Sequence, residues 1–161
     1  MYQIKNKTIF HIILFFSIFA IFFAYFVEYV LGHKPCNLCL YERIPYFLTI
    51  AIIFLIFLLK KFEKKFILIL FLIFVSSSIL SFYHYGIEQG FIKESLVCNV
   101  KGDNLNLSKE NLLKELKQEL ISCKDVSFRI FGLSLATINT IISLIFSAIL
   151  LNLFFKYDKS K

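Results

Sequence analysis

The fold is decided around residues 32–43, GHKPCNLCLYER, because this stretch separates two long apolar runs. The four apolar runs of the chain are residues 9–31, 40–59, 66–85 and 131–155. Each run is close to the roughly 20 residues that a helix needs to cross a hydrocarbon core of about 30 Å. With 58% hydrophobic residues among 161, the chain carries more apolar surface than a soluble domain of this size can bury. The sequence therefore predicts an all-α membrane protein, a bundle of four transmembrane helices that forms one domain over residues 1–161.

Charge is distributed unequally over the segments that flank these runs. The two tails and the short connection between the second and third runs together carry the net charge of +7. The regions around the other two connections are neutral. By the positive-inside rule, both termini are cytoplasmic, and the loops at residues 32–39 and 86–130 face outward. Basic segments beside membrane spans set topology, so the charge requires no nucleic-acid partner. The first run is too long for a signal peptide and is expected to remain as a helix.

All four cysteines, Cys36, Cys39, Cys98 and Cys123, fall on the outer side in this topology. Disulfides persist on that side of a membrane, and an even number of cysteines predicts pairing or exchange. Four cysteines allow three connectivities, and the sequence does not choose among them. A bond between Cys36 and Cys39 fits only a tight turn, which leaves Cys98 and Cys123 as the other natural pair.

The Cys-x-x-Cys motif lies at the outer start of the second run. Counting about 20 residues back from the cytoplasmic lysines places the start of this helix near Leu40. A thiolate there faces the positive end of the helix dipole, and Arg43 lies on the same face as Cys39, one turn deeper. Cys39 is therefore the predicted stabilised thiolate. Pro45 cannot donate a hydrogen bond to the carbonyl of Tyr41, so the first turn is predicted to be irregular.

Other polar residues near the outer helix ends are candidates for the same site. His84 ends the third run at the depth of the thiols, where a functional role and an interfacial structural role are both open. For Glu28, a side chain that simply reaches the interface is the favoured interpretation. Arg43 and Arg129 stand out in a chain whose other cations are lysines, and a planar guanidinium suits a carbonyl or a lipid headgroup. Chance placement of these arginines remains the alternative.

The second outer loop contains a further helical pattern at residues 108–121. Ser108 is suited to cap this segment, and its leucines recur with helical period on one face. The segment is too short to span a bilayer, and its opposite face is charged. We therefore expect a short amphipathic interfacial helix in contact with membrane lipid. Cys98 is expected to lie in a flexible, reachable stretch before it.

Several motifs together resemble those of a known family. They are Pro35-Cys36-Asn37-Leu38-Cys39, Glu42-Arg43, Pro45-Tyr46, Tyr83-His84 with Gly86, Glu88 and Gly90, then Cys98, and finally Cys123 with Phe131-Gly132-Leu133-Ser134-Leu135-Ala136 and Asn139. In this order they resemble the DsbB family of quinone-coupled, disulfide-generating membrane proteins, and the likeness covers nearly the whole chain. The vitamin K epoxide reductase class places its loop pair before the Cys-x-x-Cys motif, so the order here favours the DsbB family.

The resemblance implies a thiol:quinone oxidoreductase in the bacterial inner membrane. A DsbA-like periplasmic thioredoxin-fold protein would attack Cys98 of a Cys98–Cys123 disulfide. The freed Cys123 would attack Cys36 and release Cys39 as a thiolate. The electrons would pass to a bound quinone of the membrane pool, either ubiquinone or menaquinone. Arg43 is implied to contact the quinone carbonyl, and His84 is the second candidate for binding it.

Two non-catalytic functions compete with this hypothesis. Four cysteine thiolates can form a zinc site, although such sites usually use two close pairs, whereas Cys98 and Cys123 lie far apart in sequence. The other alternative is a membrane scaffold whose disulfides are purely structural.

Overall fold

A computed structural model describes residues 2–59, 63–93, 98, 122–124, 128–130 and 132–159. The helices of this part are α1 (Tyr2–Tyr29), α2 (Asn37–Tyr41), α3 (Ile44–Leu59), α4 (Glu63–Glu88) and α5 (Leu135–Lys159). Four segments are long and apolar enough to cross a membrane, namely Lys7–Tyr29, Asn37–Leu59, Lys64–Glu88 and Leu135–Lys156. The predicted bundle of four transmembrane helices is thus confirmed, and the chain is a multi-pass membrane protein. The interfacial helix predicted at residues 108–121 lies outside the described residues.

Large apolar side chains cover the outward faces of the bundle. Phe15, Phe22, Phe54 and Phe82 are exposed over 74%, 68%, 62% and 62% of their surface. In water such a surface would be strongly unfavourable, whereas lipid tails solvate it. The outward faces are therefore those of helices that contact lipid.

The apolar core fills the half of the bundle away from the cysteines. Phe74 is fully buried at its centre, and its ring meets the ring of Phe146 edge to face with centroids 5.2 Å apart. Helices α4 and α5 pack most extensively on each other. Ser77 and Ser143 are fully buried between them, and their hydroxyl oxygens lie 3.2 Å apart. Small side chains at these positions let the two helices approach closely.

The second membrane segment is broken between α2 and α3. The break falls at Glu42 and Arg43, and Pro45 lies in the first turn of α3. Proline is tolerated there because the first N–H groups of a helix have no intrahelical partner. The predicted irregular first turn is thus confirmed. The helical segment nevertheless begins earlier than Leu40, since Cys36 is the N-cap of α2.

A short hairpin precedes the last helix. Strands β1 (Arg129–Ile130) and β2 (Leu133–Ser134) pair antiparallel, with Arg129 opposite Ser134. Gly132 has φ = 81°, a conformation that glycine adopts without steric cost. Because the hairpin extends to Ser134, α5 begins later than the predicted run at residues 131–155.

Candidate functional site

The two thiols of the Cys-x-x-Cys motif lie together at the start of α2. Their Sγ atoms are 2.6 Å apart, and no disulfide bond joins them. Residues three apart in a helical turn share a face, which explains why the motif brings the two sulfurs together. Cys36 is buried and Cys39 is partly exposed. Since a disulfide bond is about 2.05 Å long, the pair can form one with little movement.

Cys36 receives the contacts that stabilise a thiolate. Its sulfur accepts a hydrogen bond from the backbone N–H of Cys39 at 3.2 Å and lies 3.5 Å from Nε2 of His84. The hydrogen bond from the Cys39 thiol lowers the pKa of Cys36 from 9.0 to about 5, helped by His84 and opposed by burial. The prediction that Cys39 is the stabilised thiolate is therefore wrong for this arrangement, because Cys36 rather than Cys39 occupies the N-cap.

His84 belongs to a buried polar network. Its Nδ1 donates to one oxygen of Glu42 at 2.7 Å, and the other Glu42 oxygen accepts from Nδ2 of Asn139 at 3.0 Å. Asn139 also donates to the hydroxyl of Ser81 at 2.6 Å and accepts from the hydroxyl of Tyr46. A carboxylate only accepts hydrogen bonds, so Nδ1 of His84 must carry a proton. The network therefore holds the His84 ring with Nε2 toward Cys36.

Arg43 is held by a different carboxylate. Its Nη1 donates to Glu28 at 2.6 Å, and its guanidinium carbon lies 4.9 Å from the centre of the Tyr25 ring. The Arg43 and Glu28 side chains are only 12% and 21% exposed. Glu28 therefore does more than reach the interface, because its carboxylate holds Arg43. Arg129, by contrast, is exposed on β1.

The other two cysteines form the Cys98–Cys123 disulfide, with Cα atoms 5.6 Å apart. The sequence left the connectivity open, and the structure forms the pair that the resemblance implied. Both residues are buried and pack with Cys36, Leu38 and Ile87 in one cluster. The prediction that Cys98 is readily reachable is therefore wrong for this structure, in which the residue is only 5% exposed. The same packing places the disulfide beside the dithiol.

A cavity of about 360 Å³ lies next to the thiols. Its polar lining includes Cys36, Cys39, His84, Arg43 and Glu88, and Cys123 also contributes to its wall. Its apolar lining includes Phe16, Phe19, Phe23, Ile138 and Ile142 from α1 and α5. Small-molecule sites typically have volumes of about 300–1,000 Å³ and mostly apolar walls with a few polar groups. The cavity has the size and lining of such a site, and the sulfur-bearing side chains of three cysteines are part of its wall.

Three residues of this site were missed as site residues by reasoning from sequence. Glu42 interrupts the apolar run at residues 40–59, and an ionisable residue within a membrane segment is itself a signal of function. Asn139 is a weaker signal of the same kind in the fourth run. Glu88 lies one helical turn beyond His84, with Oε1 3.7 Å from Nε2 of that ring. Its Oε2 is buried and has no hydrogen-bond partner among the described residues.

A four-thiolate metal site is not formed in this arrangement. The sulfurs of Cys98 and Cys123 are bonded to each other and are not thiolate ligands. Within the described part of the chain, the cluster with metal-ligand geometry consists of Cys36, Cys39 and His84.

Four membrane-spanning helices with a dithiol and a disulfide at one end of the bundle form an arrangement that suits disulfide exchange at a membrane. The family described as Disulfide bond formation protein DsbB matches residues 6–153, and the chain belongs to this family. Membership implies a role in disulfide formation and an interaction with a DsbA-like partner.

Two similar proteins match the chain over different lengths. An uncharacterized protein of Rickettsia prowazekii (strain Madrid E), RP370, is 29% identical over 164 residues, which cover 99% of this chain and 91% of that protein. The SPbeta prophage-derived disulfide bond formation protein B of Bacillus subtilis (strain 168) is 38% identical over 96 residues, or 58% of this chain and 62% of that protein. No solved structure matches the chain.

Proposed function

We propose that the protein is a thiol:quinone oxidoreductase of the bacterial inner membrane. In this function it reoxidises a DsbA-like periplasmic thioredoxin-fold protein and passes the electrons to the membrane quinone pool. The observation that carries the proposal is that Cys36, Cys39 and Cys123 line one cavity, with Cys98 bonded to Cys123. Thiol–disulfide exchange requires a thiolate to attack a sulfur within reach. Two adjacent cysteine pairs therefore support transfer of electrons from one pair to the other.

The proposed cycle begins with the outer disulfide. A thiolate of the reduced partner attacks the sulfur of Cys98, breaks the Cys98–Cys123 bond and releases Cys123 as a thiolate. Cys123 then attacks Cys36 in the oxidised Cys36–Cys39 pair and releases Cys39. The partner's second thiol displaces Cys98, and Cys98 in turn displaces Cys36 from Cys123. The partner leaves with a disulfide, the outer disulfide is restored, and Cys36 and Cys39 hold the two electrons as a dithiol.

The described arrangement matches the end of this exchange, with a closed Cys98–Cys123 disulfide and free thiols at Cys36 and Cys39. The burial of Cys98 adds one requirement. Its sulfur must become exposed before the partner's thiolate can reach it. The proposal therefore includes a movement of the Cys98 segment away from the cluster that it forms with Leu38 and Ile87.

The residues around the cavity fit the quinone that the proposal requires. Apolar walls suit a quinone ring and its lipid tail, and Arg43 keeps N–H groups that can donate to a carbonyl oxygen, while His84 directs its Nε2 to Cys36. A quinone bound there would accept two electrons and two protons and so supply the oxidising power. Glu28 positions the Arg43 guanidinium, and a contact through Nη1 leaves other N–H groups of Arg43 to donate. Glu42 positions His84, whose Nε2 can hold a proton beside Cys36.

A coupled assay tests this function. Detergent-purified protein is mixed under anaerobic conditions with a reduced thioredoxin-fold donor and a soluble quinone. We expect donor thiols to disappear at two per quinol formed, and only when protein and quinone are both present. Cys36→Ser should abolish quinol formation because the inner pair can no longer form a disulfide. Equal donor oxidation without quinone would count against the proposal.

A further inference from the structure

Three potential metal ligands meet in the reduced site. The Sγ atoms of Cys36 and Cys39 and a ring nitrogen of His84 all lie within 4.8 Å of one another. A tetrahedral zinc ion with bonds of about 2.0–2.3 Å keeps its ligand atoms roughly 3.3–3.8 Å apart. The 3.5 Å separation of Cys36 Sγ and His84 Nε2 already falls in this range. The sulfurs, now 2.6 Å apart, would have to separate by about 1 Å, which rotation of the partly exposed Cys39 side chain can supply.

The surroundings of His84 are those of a metal-binding histidine. Histidine ligands usually donate their second ring N–H to a carboxylate, which fixes the tautomer and makes the coordinating nitrogen more basic. Here Nδ1 donates to Glu42 at 2.7 Å, and Glu42 is itself held by Asn139. Nε2 is thereby directed to the thiols, as coordination requires.

An unpartnered carboxylate oxygen provides a second, independent observation. The Glu88 side chain is 5% exposed, and its Oε2 is buried with no hydrogen-bond partner among the described residues. Its Oε1 lies 3.7 Å from Nε2 of His84, and Glu88 lines the same cavity as the thiols. Burying an unsatisfied carboxylate oxygen is costly unless a donor or a cation meets it. Glu88 therefore adds a buried carboxylate, without a partner at Oε2, to the cavity wall beside the three ligands.

We infer that the reduced Cys36–Cys39 pair and His84 form a binding site for a thiophilic divalent cation of the zinc type, beside the Glu88 carboxylate. Two thiolates and one imidazole are ligands that Zn²⁺ accepts in tetrahedral sites, and three protein ligands leave its fourth position to water. The cation replaces the remaining thiol protons and the Nε2 proton of His84, which are released on binding. The oxidised pair offers no thiolate, so the site exists only in the dithiol state. Bound metal would hold the dithiol reduced, and this inhibitory consequence rests on the proposed function.

Metal binding is tested on the full-length protein in detergent, reduced anaerobically with a non-thiol reductant and titrated with Co²⁺ or Zn²⁺ alone. We expect one metal per chain, with a sulfur-to-cobalt charge-transfer band of the intensity of two thiolates rather than four. Zn²⁺ should displace the cobalt. Zn²⁺ should also protect Cys36 and Cys39 from alkylation, measured by mass spectrometry, while leaving Cys98 and Cys123 reactive. The oxidised protein should not bind.

Matched variants assign the ligands. His84→Ala should weaken binding at least tenfold, and Glu42→Gln, which keeps the side-chain shape, should weaken it about 10–100-fold. His11→Ala is the control, since the His11 side chain hydrogen-bonds the Lys7 carbonyl at 2.7 Å, near the other end of α1. Equal protection of all four cysteines, equal binding by the oxidised protein, or unchanged affinity in both site variants would each overturn the inference. If His84→Ala fails to fold, the protection pattern of the wild-type protein and Glu42→Gln decide.

Activity is measured separately. Zn²⁺ should slow reoxidation of the wild-type protein by quinone, and a chelator should restore the rate. If quinone fails to reoxidise even the metal-free protein, the proposed function fails, whereas the cobalt and protection results still decide the metal site.

Discussion

Replacing His84 with glutamine should raise the pKa of the Cys36 thiol. When Nδ1 of His84 donates to Glu42, a second donation from Nε2 to Cys36 requires the positively charged imidazolium. At 3.5 Å and an effective dielectric constant of about 20, opposite unit charges attract by about 5 kcal/mol. At about 1.4 kcal/mol per pKa unit, this corresponds to an upper bound of about 3.5 units. The Glu42 charge offsets part of the attraction, and we expect a rise of about 1–3 units.

The direction of the pKa shift and the midpoint of the Cys36 titration can be measured from alkylation rates. Because the pKa of Cys36 is lowered to about 5, its thiolate predominates above that pH and protonation removes it below. In the reduced wild-type protein, the alkylation rate of Cys36 should therefore rise through about pH 5 and reach a plateau well below pH 9. In His84→Gln the same rise should occur at higher pH. The assay is mass spectrometry of the Cys36 peptide after short exposure to an alkylating reagent, in buffer containing a chelator.

A matched control separates the charge effect from general damage. His33 lines the same cavity, but its ring packs on Phe128 with centroids 5.4 Å apart. His33→Gln should therefore leave the Cys36 midpoint unchanged. An unchanged midpoint in His84→Gln, or an equal rise in both variants, would refute the reasoning that His84 stabilises the Cys36 thiolate.

Further predictions concern topology, reaction order, ligand binding and packing. After reduction in intact cells, all four cysteines should react with a membrane-impermeant thiol reagent, and labelling that requires permeabilisation would reject the proposed orientation. A thioredoxin-fold partner that retains only its attacking cysteine should become trapped on Cys98, and trapping on Cys36 would reverse the proposed order. Arg43→Lys keeps the charge but loses the planar donor, so the KM for quinone should rise about tenfold or more while thiol exchange with the partner persists. Phe74→Ala, at a fully buried ring, should lower unfolding stability by about 3–5 kcal/mol, whereas Phe15→Ala, at a side chain 74% exposed, should change it little in a denaturant titration.

The membrane architecture follows from sequence because each of its signals is local. Inside a bilayer, an apolar run of about 20 residues must satisfy its backbone N–H and C=O groups within the segment. The length of such a run therefore predicts a helix. The missing backbone N–H of Pro45 likewise predicted that the second span starts irregularly. The hairpin that ends at Ser134 could not be predicted, since strands of two residues show no periodicity.

The interior of the site depends on contacts between residues that lie far apart in the sequence. The Glu42 carboxylate joins His84, 42 positions away, and Asn139, 97 positions away, so no local pattern predicts the network. Glu28 similarly gains its role from Arg43, which lies at the break between α2 and α3. The prediction that Cys98 is reachable failed for the same reason, because the burial of a loop residue depends on what it packs against. One signal was present in the sequence, namely a carboxylate at position 42 inside an apolar run.

The most direct test of the proposed function is a single turnover of the isolated protein. The inner pair is reduced, the reductant is removed, and one equivalent of quinone is added without oxygen while free thiols and quinol are counted. We expect two thiols to be lost for each quinol formed, and we expect mass spectrometry to assign both to Cys36 and Cys39. Cys36→Ser should form no quinol. Quinol formed without loss of these two thiols, or no reaction in the wild-type protein, would contradict the proposed function.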